Sequence, residues 1–390
     1  MGFLFSKYLA RRGTRISKRR SGQRVGGRER KRRRHHLYLV FDDWSLGYSI
    51  RKVDSLPGSR RQSAVRRLPR PFFRLQAPHG SPEYFASAFG TNILSMHPRS
   101  TSCNSLLSGS CILTLDVRSR AITFGPRLEN TITLCPRWKN PINPIYLAVD
   151  NKLFTLSKHS FEILSLDLLS PVPPDRSGRV RWSWEVLTKQ PFKVRNVTSY
   201  ALNPYSQSFL VSTTKKAIAD TFAFDTVKLS WKQVGKWALP FHGRGHFDPL
   251  LGAFVGLSKD PDTFGQLYFC YMPSSDTGHT PKSKLGKMKL LSEDPAERHV
   301  SATLVYMGRR SKFCLIECVS IEGDSADQEL KEEGVMPRPG RCLYRLTTFS
   351  LSHDMNGDPT TGGSCRVQYY KVPEATTPTF LFADPVVFWM

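Results

Sequence analysis

The chain has no long apolar run. None of its 390 residues lies in a stretch approaching the ~18 to 20 apolar residues that a membrane-spanning helix needs, and no apolar segment precedes a small-residue cleavage site as in a secretory signal. Its eight Cys, at positions 103, 111, 135, 270, 314, 318, 342 and 365, contain no C-x-x-C pair, which excludes the usual zinc and redox spacings and fits a reducing compartment. There is no G-x-S-x-G nucleophile elbow and no H-E-x-x-H zinc helix. Sustained helical periodicity is scarce, which argues against a bundle or an α/β sheet. Acid is scarce at the start, where Glu29 stands alone among the first 36 residues against fourteen Lys and Arg.

The formal net charge is +25, and most of it is local. Residues 1–36 repel one another and are poor in apolar side chains after Leu9, so they cannot offset their chain entropy by burial and are expected to be a disordered tail. Lys18, Arg19 and Arg20, then Arg30, Lys31, Arg32, Arg33 and Arg34, form two clusters of the kind that an acidic import receptor or a phosphate backbone attracts. The same segment has the acid-poor composition of an organelle transit peptide, and Met1-Gly2-x-x-x-Ser6 fits a formal myristoylation pattern, although bulky Phe3 follows the glycine. A plain charged leader is the fourth reading. The expected location is nucleus or cytoplasm, or mitochondrion or chloroplast if the segment is a transit peptide. A second basic concentration, Arg51 to Arg74, sets eight Lys and Arg against Asp54 and reads as a loop of the first sheet.

From residue 37 onward, short runs rich in Val, Ile, Leu, Phe, Tyr and Trp alternate with Gly, Pro, Asn, Asp and Ser, the pattern of an all-β domain. Stretches 171–179, 275–286 and 322–340 read as excursions from hairpin loops. The strand runs group in fours at about 84–124, 145–187, 197–234, 244–291 and 299–372. Three strands remain at the front ("LYLVF", "YSIRKV", "FFRLQ") and one at the back ("FLFADPVVFW"), enough for a sixth sheet. The expectation is a six-bladed β-propeller over 37–390 whose last blade is closed by strands from both termini, an arrangement that leaves few free edges.

Leu113-Thr114-Leu115-Asp116, Leu164-Ser165-Leu166-Asp167 and Phe222-Ala223-Phe224-Asp225 each put alternating apolar residues before an Asp, with Val53-Asp54 as a further instance. An Asp at a strand end accepts from backbone two residues on and starts a turn, so these are expected to be structural turn residues rather than catalytic ones. In "FAFDTVKLSW", Trp231 is placed to pack between sheets. The Asp spacings of 51 and 58 residues lie near the kelch period of about 50. This stretch resembles half of a kelch repeat without its double glycine. "HLYLVFDDWSLGYSIRKVD", residues 200–258 and "FLFADPVVF" resemble an uncharacterised plant family expanded in grasses, domain of unknown function 1668, with similar kelch-like F-box-associated families beside it. The resemblance implies a plant source and a propeller-like fold, and supplies no catalytic residues. The 36 residues before the first strand are too few and too basic for an F-box module.

Few arrangements carry chemistry. "GHTPKSKLGKMK" has the wrong glycine spacing for a phosphate loop, and Met288 stands where a hydroxyl would hold magnesium. His242 and His246 form a pair with Asp248 as the only candidate third ligand, short of a metal set. Asp42-Asp43 read as a hairpin turn, and Cys314 and Cys318 as same-face core residues of one strand. The expectation is a non-enzymatic protein-binding scaffold, without cofactor or metal, whose partner is a protein. The alternative is an electrostatic binder of nucleic acid or an acidic surface through the tail, with salt-sensitive, sequence-blind contacts.

Overall fold

A computed structural model describes residues 35–54, 64–77, 84–96, 112–125, 144–157, 160–167, 181–203, 207–258, 260–271, 279–308, 310–321 and 341–390. The basic clusters of the tail, three of the Cys, and the 171–179 and 322–340 excursions lie outside them.

The described residues are all-β apart from short helical turns, and the strands follow the apolar runs closely. Among these residues no helix is long and apolar enough to cross a membrane. A terminal sheet holds β1 (Leu37–Trp44), β2 (Gly47–Val53) and β4 (Pro71–Gln76), while the two-residue β3 (Arg66–Arg67) leaves it. The first sheet comprises β5 (Phe85–Ala88), β6 (Asn92–Ser95), β7 (Ile112–Asp116) and β8 (Ile122–Gly125). The second comprises β9 (Ile145–Val149), β10 (Lys152–Leu156), β11 (Phe161–Asp167) and β12 (Arg181–Val186). Next come β13 (Val197–Asn203), β14 (Ser208–Lys215), β15 (Ile218–Asp225) and β16 (Ser230–Gly235), then β17 (Gly243–Asp248), β18 (Ala253–Leu257), β19 (Gln266–Tyr271) and β20 (Lys282–Lys289). Parallel pairing of β13 with β17 joins the third and fourth sheets into one of eight strands. The fifth sheet has β21 (Glu297–Tyr306), β22 (Lys312–Ile321), β23 (Cys342–Ser350) and β26 (Arg366–Lys371), with a small hairpin of β24 (Ser352–His353) and β25 (Pro359–Thr360) between the last two. The chain ends in α1 (Pro378–Phe382) and β27 (Val387–Trp389), the fourth strand of the terminal sheet.

Strands expose alternate residues to opposite faces, and here both faces are buried. Leu37, Leu39 and Phe41 enter a core shared with Cys314, Ile316 and Tyr344 of the fifth sheet, while Tyr38 and Val40 enter one shared with Phe85, Ile93 and Leu115 of the first. The same division recurs at each step. Leu153 and Leu164 face Ala86 and Leu94, Phe154 and Phe161 face Phe209 and Phe224, Leu210 faces Phe254, and Leu267 and Phe269 face Phe313 and Leu315. Six clusters thus link the six four-stranded groups in succession, and the last returns to the terminal sheet. Each fully buried Phe or Leu in them is worth about 1.5–3 kcal/mol.

The terminal sheet joins the two ends of the described chain. β27 pairs antiparallel with β1 through Leu37–Trp389, Tyr38–Phe388 and Leu39–Val387. Only part of the expected "FLFADPVVFW" strand is extended. Its first residues belong to the helical turn begun by Pro378, whose ring presets the backbone for a helix start, and from that turn Phe380 and Leu381 are both buried. Other expectations also change. Asp42 and Asp43 are not in a turn; they lie in β1, where the register shifts between Phe41 and Trp44. Asp42 is fully buried and accepts from the Thr377 amide at 3.0 Å and from its hydroxyl, tying the C-terminal segment to β1, while Asp43 pairs with Arg51. Arg66 and Arg67 are not a loop of the terminal sheet, for β3 adds in parallel to the outer edge of β26. The 275–286 stretch is strand from Lys282 onward.

Between the third and fourth sheets, the ring of Phe241 is held by two glycines, for a Cβ added at either Gly245 or Gly256 would overlap it. Gly256→Ala is expected to cost about 1–3 kcal/mol by overpacking, read as a lower urea midpoint at unchanged slope. An unchanged midpoint would mean that Phe241 has room to move.

Candidate functional site

In a four-strand meander, the turn between the first two strands and the turn between the last two fall at the same end. Side-chain bonds tie these turns together within and between sheets. Thr91 donates to Asp116 at 2.6 Å across the first sheet, Lys152 of the second donates to the Thr226 carbonyl of the third at 3.2 Å, and Ser311 of the fifth donates to Asp248 of the fourth at 2.8 Å. We refer to this end as the turn face.

Asp carboxylates build it. Asp116 accepts from the amides of Arg118 and Ser119 at 3.0 and 3.3 Å, and Asp225 from those of Val227 and Lys228 at 2.9 and 2.8 Å. Asp167 ends β11 at the equivalent place, but its turn lies outside the described residues. Asp248 does the same for Leu250 and Leu251 at 2.9 and 3.1 Å, and is fully buried. Its use is thus a turn and not a metal set; the signal that could have found this is Phe247, an apolar residue before the Asp as in the other turns. Asp54, the further instance, is exposed and pairs with His36 at 2.7 Å. Trp231 lies on β16 with its ring 5.4 Å from Phe161 of the second sheet and 4.9 Å from Phe224 of its own, so it spans two sheets.

The exposed charge at this end is mainly basic, although Asp54 and Asp150 are exposed there as well. With Asp116, Asp225 and Asp248 turned into their own loops, the same turns expose Arg118, Arg120, Lys228 and Arg310. Arg120 lies over the Phe72 ring at 5.0 Å. Apolar side chains are exposed at this end too: Val227 is 66% exposed, Leu250 69%, and Met355, on the excursion between β23 and β26, is fully exposed.

The opposite end of the fifth sheet holds a different arrangement. The Glu317 carboxylate is 1% exposed and accepts from Arg345 at 3.2 Å, from the Ser292 amide at 2.9 Å, and lies 2.9 Å from His299 Nδ1. Arg345 also donates to the Leu290 carbonyl at 2.7 Å, and Tyr369 donates to Glu297 at 3.2 Å. These groups anchor the connection after β20 onto the next sheet. His246 Nε2 sits 2.9 Å from the Leu304 carbonyl of the neighbouring sheet; burial, and next the charge of Arg244, push its pKa down to about 3, against the pull of that carbonyl. A neutral imidazole bonded to a carbonyl and an Asp248 engaged in its turn leave His246 and Asp248 in structural use, while His242 is exposed. Among the described residues, no group of three or more His, Cys, Asp or Glu is placed to hold a metal.

These titrations predict acid sensitivity in two windows. His246 is protonated more readily unfolded than folded, so its contribution is present above about pH 6.5 and is lost as pH falls from there toward about 3. Asp116 is pushed up by burial but pulled further down by the Ser119 and Thr91 hydroxyls and the Arg118 and Ser119 amides; Asp225 is pulled down by the Lys228 and then the Val227 amide. Both contribute above the ordinary carboxyl range and lose that contribution as pH falls through their lowered values. Melting temperatures from about pH 8 to about pH 2.5 should fall in both windows. His246→Gln should flatten only the upper one, and Asp116→Asn only the lower.

No curated protein matches the chain in sequence. Among solved structures, it is similar to a protein from Lactobacillus plantarum (11% identity, TM-score 0.41, covering 92% of this chain and 99% of that one). It is also similar to the periplasmic gluconolactonase PpgL of Pseudomonas aeruginosa (13%, 0.40, 87% and 99%) and to the β-propeller domain of Cps50 (Swd1) from Myceliophteria thermophila (9%, 0.35, 85% and 82%). At such identities and TM-scores these likenesses say nothing of activity. The family model described as protein of unknown function (DUF1668) matches residues 34–367, which takes in every sheet from β1 to the start of β26, and the chain belongs to that family.

Proposed function

We propose that the chain is a six-bladed, kelch-like β-propeller that works as a non-enzymatic protein-binding scaffold, with the turn face as its docking surface. Five four-stranded meanders and a terminal sheet of β27, β1, β2 and β4, with six core clusters in cyclic succession and the pairing of β27 with β1, support the ring. The Asp-led turns and Trp231 support the kelch comparison. The observation that carries the function is the basic and apolar surplus of the turn face, where Asp116, Asp225 and Asp248 accept from their own turns while Arg118, Lys228, Arg310, Val227, Leu250 and Met355 stand exposed against the exposed carboxylates of Asp54 and Asp150. A protein presenting carboxylates around an apolar contact complements such a face. No cofactor or metal enters this reading, and the basic tail serves as an address, to nucleus or cytoplasm or, as a transit peptide, to an organelle.

The test is affinity purification with the full chain, with residues 37–390, and with a full chain carrying Arg118→Glu, Lys228→Glu and Leu250→Asp, at low and high salt and with nuclease. The same protein partner is expected with the first two and is expected to be lost with the third. Recovery that needs the tail and collapses with salt or nuclease would instead make the protein an electrostatic binder of nucleic acid or an acidic surface.

A further inference from the structure

We propose that Cys318 and Cys342 form a thiol–disulfide exchange site at the end of the fifth sheet away from the turn face. The two residues lie on neighbouring antiparallel strands, with Cys318 opposite Tyr344 and Cys342 opposite Ser320, which makes them diagonal neighbours on one face. Neither is in a disulfide, both belong to the same core cluster, and their side chains are hydrogen-bonded to each other. Core packing alone accounts for Cys314, four residues before Cys318 and on its face: burial pushes its thiol up to about 12, as it does that of Cys270. The pair differs in being asymmetric. Cys342 is drawn below the ordinary thiol range by the bond from Cys318, and also by Ser320 and the Arg298 charge, against its burial, while the same bond and then burial push Cys318 far up. Cys318 is fully buried and Cys342 is 2% exposed at the first position of its strand, so Cys342 is the sulfur an incoming reagent meets first and Cys318 the resolving one.

Position provides a route. Cys342 is the first residue of β23, next to exposed Arg341, and its cross-strand partner Ser320 precedes exposed Ile321 at the end of β22. Strand ends open locally at far lower free energy than the sheet as a whole, so a small reagent needs only the last register step to open.

The chemistry with a small disulfide such as oxidised glutathione balances in two steps. The Cys342 thiolate attacks one sulfur of the reagent, its S–S bond breaks, and one glutathione thiolate leaves, giving a mixed disulfide on Cys342. Cys318 then loses its proton and attacks the Cys342 sulfur, expelling the second glutathione. Two protein thiols are oxidised and one glutathione disulfide is reduced to two thiols. Diagonal neighbours in a sheet usually have their Cα atoms about 7–8 Å apart, beyond the usual disulfide span of about 4.4–6.8 Å, so the product draws the strand ends together and is readily reduced. That is the character of a reversible bond rather than a permanent one.

The experiment treats the folded full chain with oxidised glutathione, quenches with acid, and maps modified peptides by mass spectrometry. The expected result is a peptide pair linked through Cys318 and Cys342, reversed by dithiothreitol, while Cys270 and Cys314 remain unmodified. Cys318→Ala should convert the link into a glutathione adduct that persists on Cys342. The proposal fails if Cys342 stays reduced in the folded wild type while half-buried Cys365 is modified, or if wild-type Cys342 takes glutathione and never exchanges it for Cys318.

Discussion

Glu317→Ala is expected to lower the unfolding free energy by about 3–5 kcal/mol, the range for removing one partner of a buried ion pair. The carboxylate is 1% exposed and Arg345 14% exposed, so the guanidinium left behind has little access to water. The Ser292 amide loses its acceptor as well, and the connection between the fourth and fifth sheets then keeps the Arg345 bond to the Leu290 carbonyl without the carboxylate that orients it. Urea unfolding followed by tryptophan fluorescence reads the loss. The double change Glu317→Leu with Arg345→Met separates the cost of an orphaned charge from the worth of the pair: it should recover much of the loss, because an apolar pair of similar volume carries no desolvation penalty. If Glu317→Ala costs less than about 1 kcal/mol, as exposed pairs do, the connection is held by packing and the polar network is incidental to it.

Deleting Val386–Met390 is expected to cost about 4–7 kcal/mol, taking roughly half of 1.5–3 kcal/mol for each of five partly buried apolar side chains. That is a large share of the ~5–15 kcal/mol by which a domain is stable. The segment alternates between two cores: Val387 and Trp389 pack with the fifth-sheet side of β1, and Val386, Phe388 and Met390 with its first-sheet side. Its backbone gives His36 N to Met390 O at 2.7 Å, Met390 N to His36 O at 3.1 Å, and Val40 N to Val386 O at 3.1 Å. Removal therefore opens both cores at once and bares an edge of β1. The shortened chain should melt well below the full one and bind a hydrophobic dye before unfolding. An unchanged melt would mean that β1 holds its two neighbours without the last strand. Phe388→Ser, which keeps the backbone pairing, should show only a minor part of the loss.

Much of this was legible along the chain. The groups of four strands, the three strands at the front with one at the back, and the same-face placement of Cys314 and Cys318 all follow from period-two patterning and turn residues, which act over a few positions. The Asp turns were legible for the same reason, since an Asp and the amides it caps are two and three residues apart. Asp248 escaped because two nearby His suggested a different use, and Asp42 because an acidic pair beside Trp44 resembles a turn when nothing local reveals Thr377, 335 positions away.

Alternation and turn chemistry are local properties, so the all-β class, the strand runs and the turns between them are written in the chain alone. The use made of each buried polar group is not. Glu317 meets Arg345, Ser292 and His299, Asp42 meets Thr377, and Cys318 meets Cys342 through pairings between distant strands and connections. A carboxylate or a thiol takes its character from what surrounds it within a few ångströms, and those neighbours are brought by the folding of the sheets rather than by adjacency in the chain.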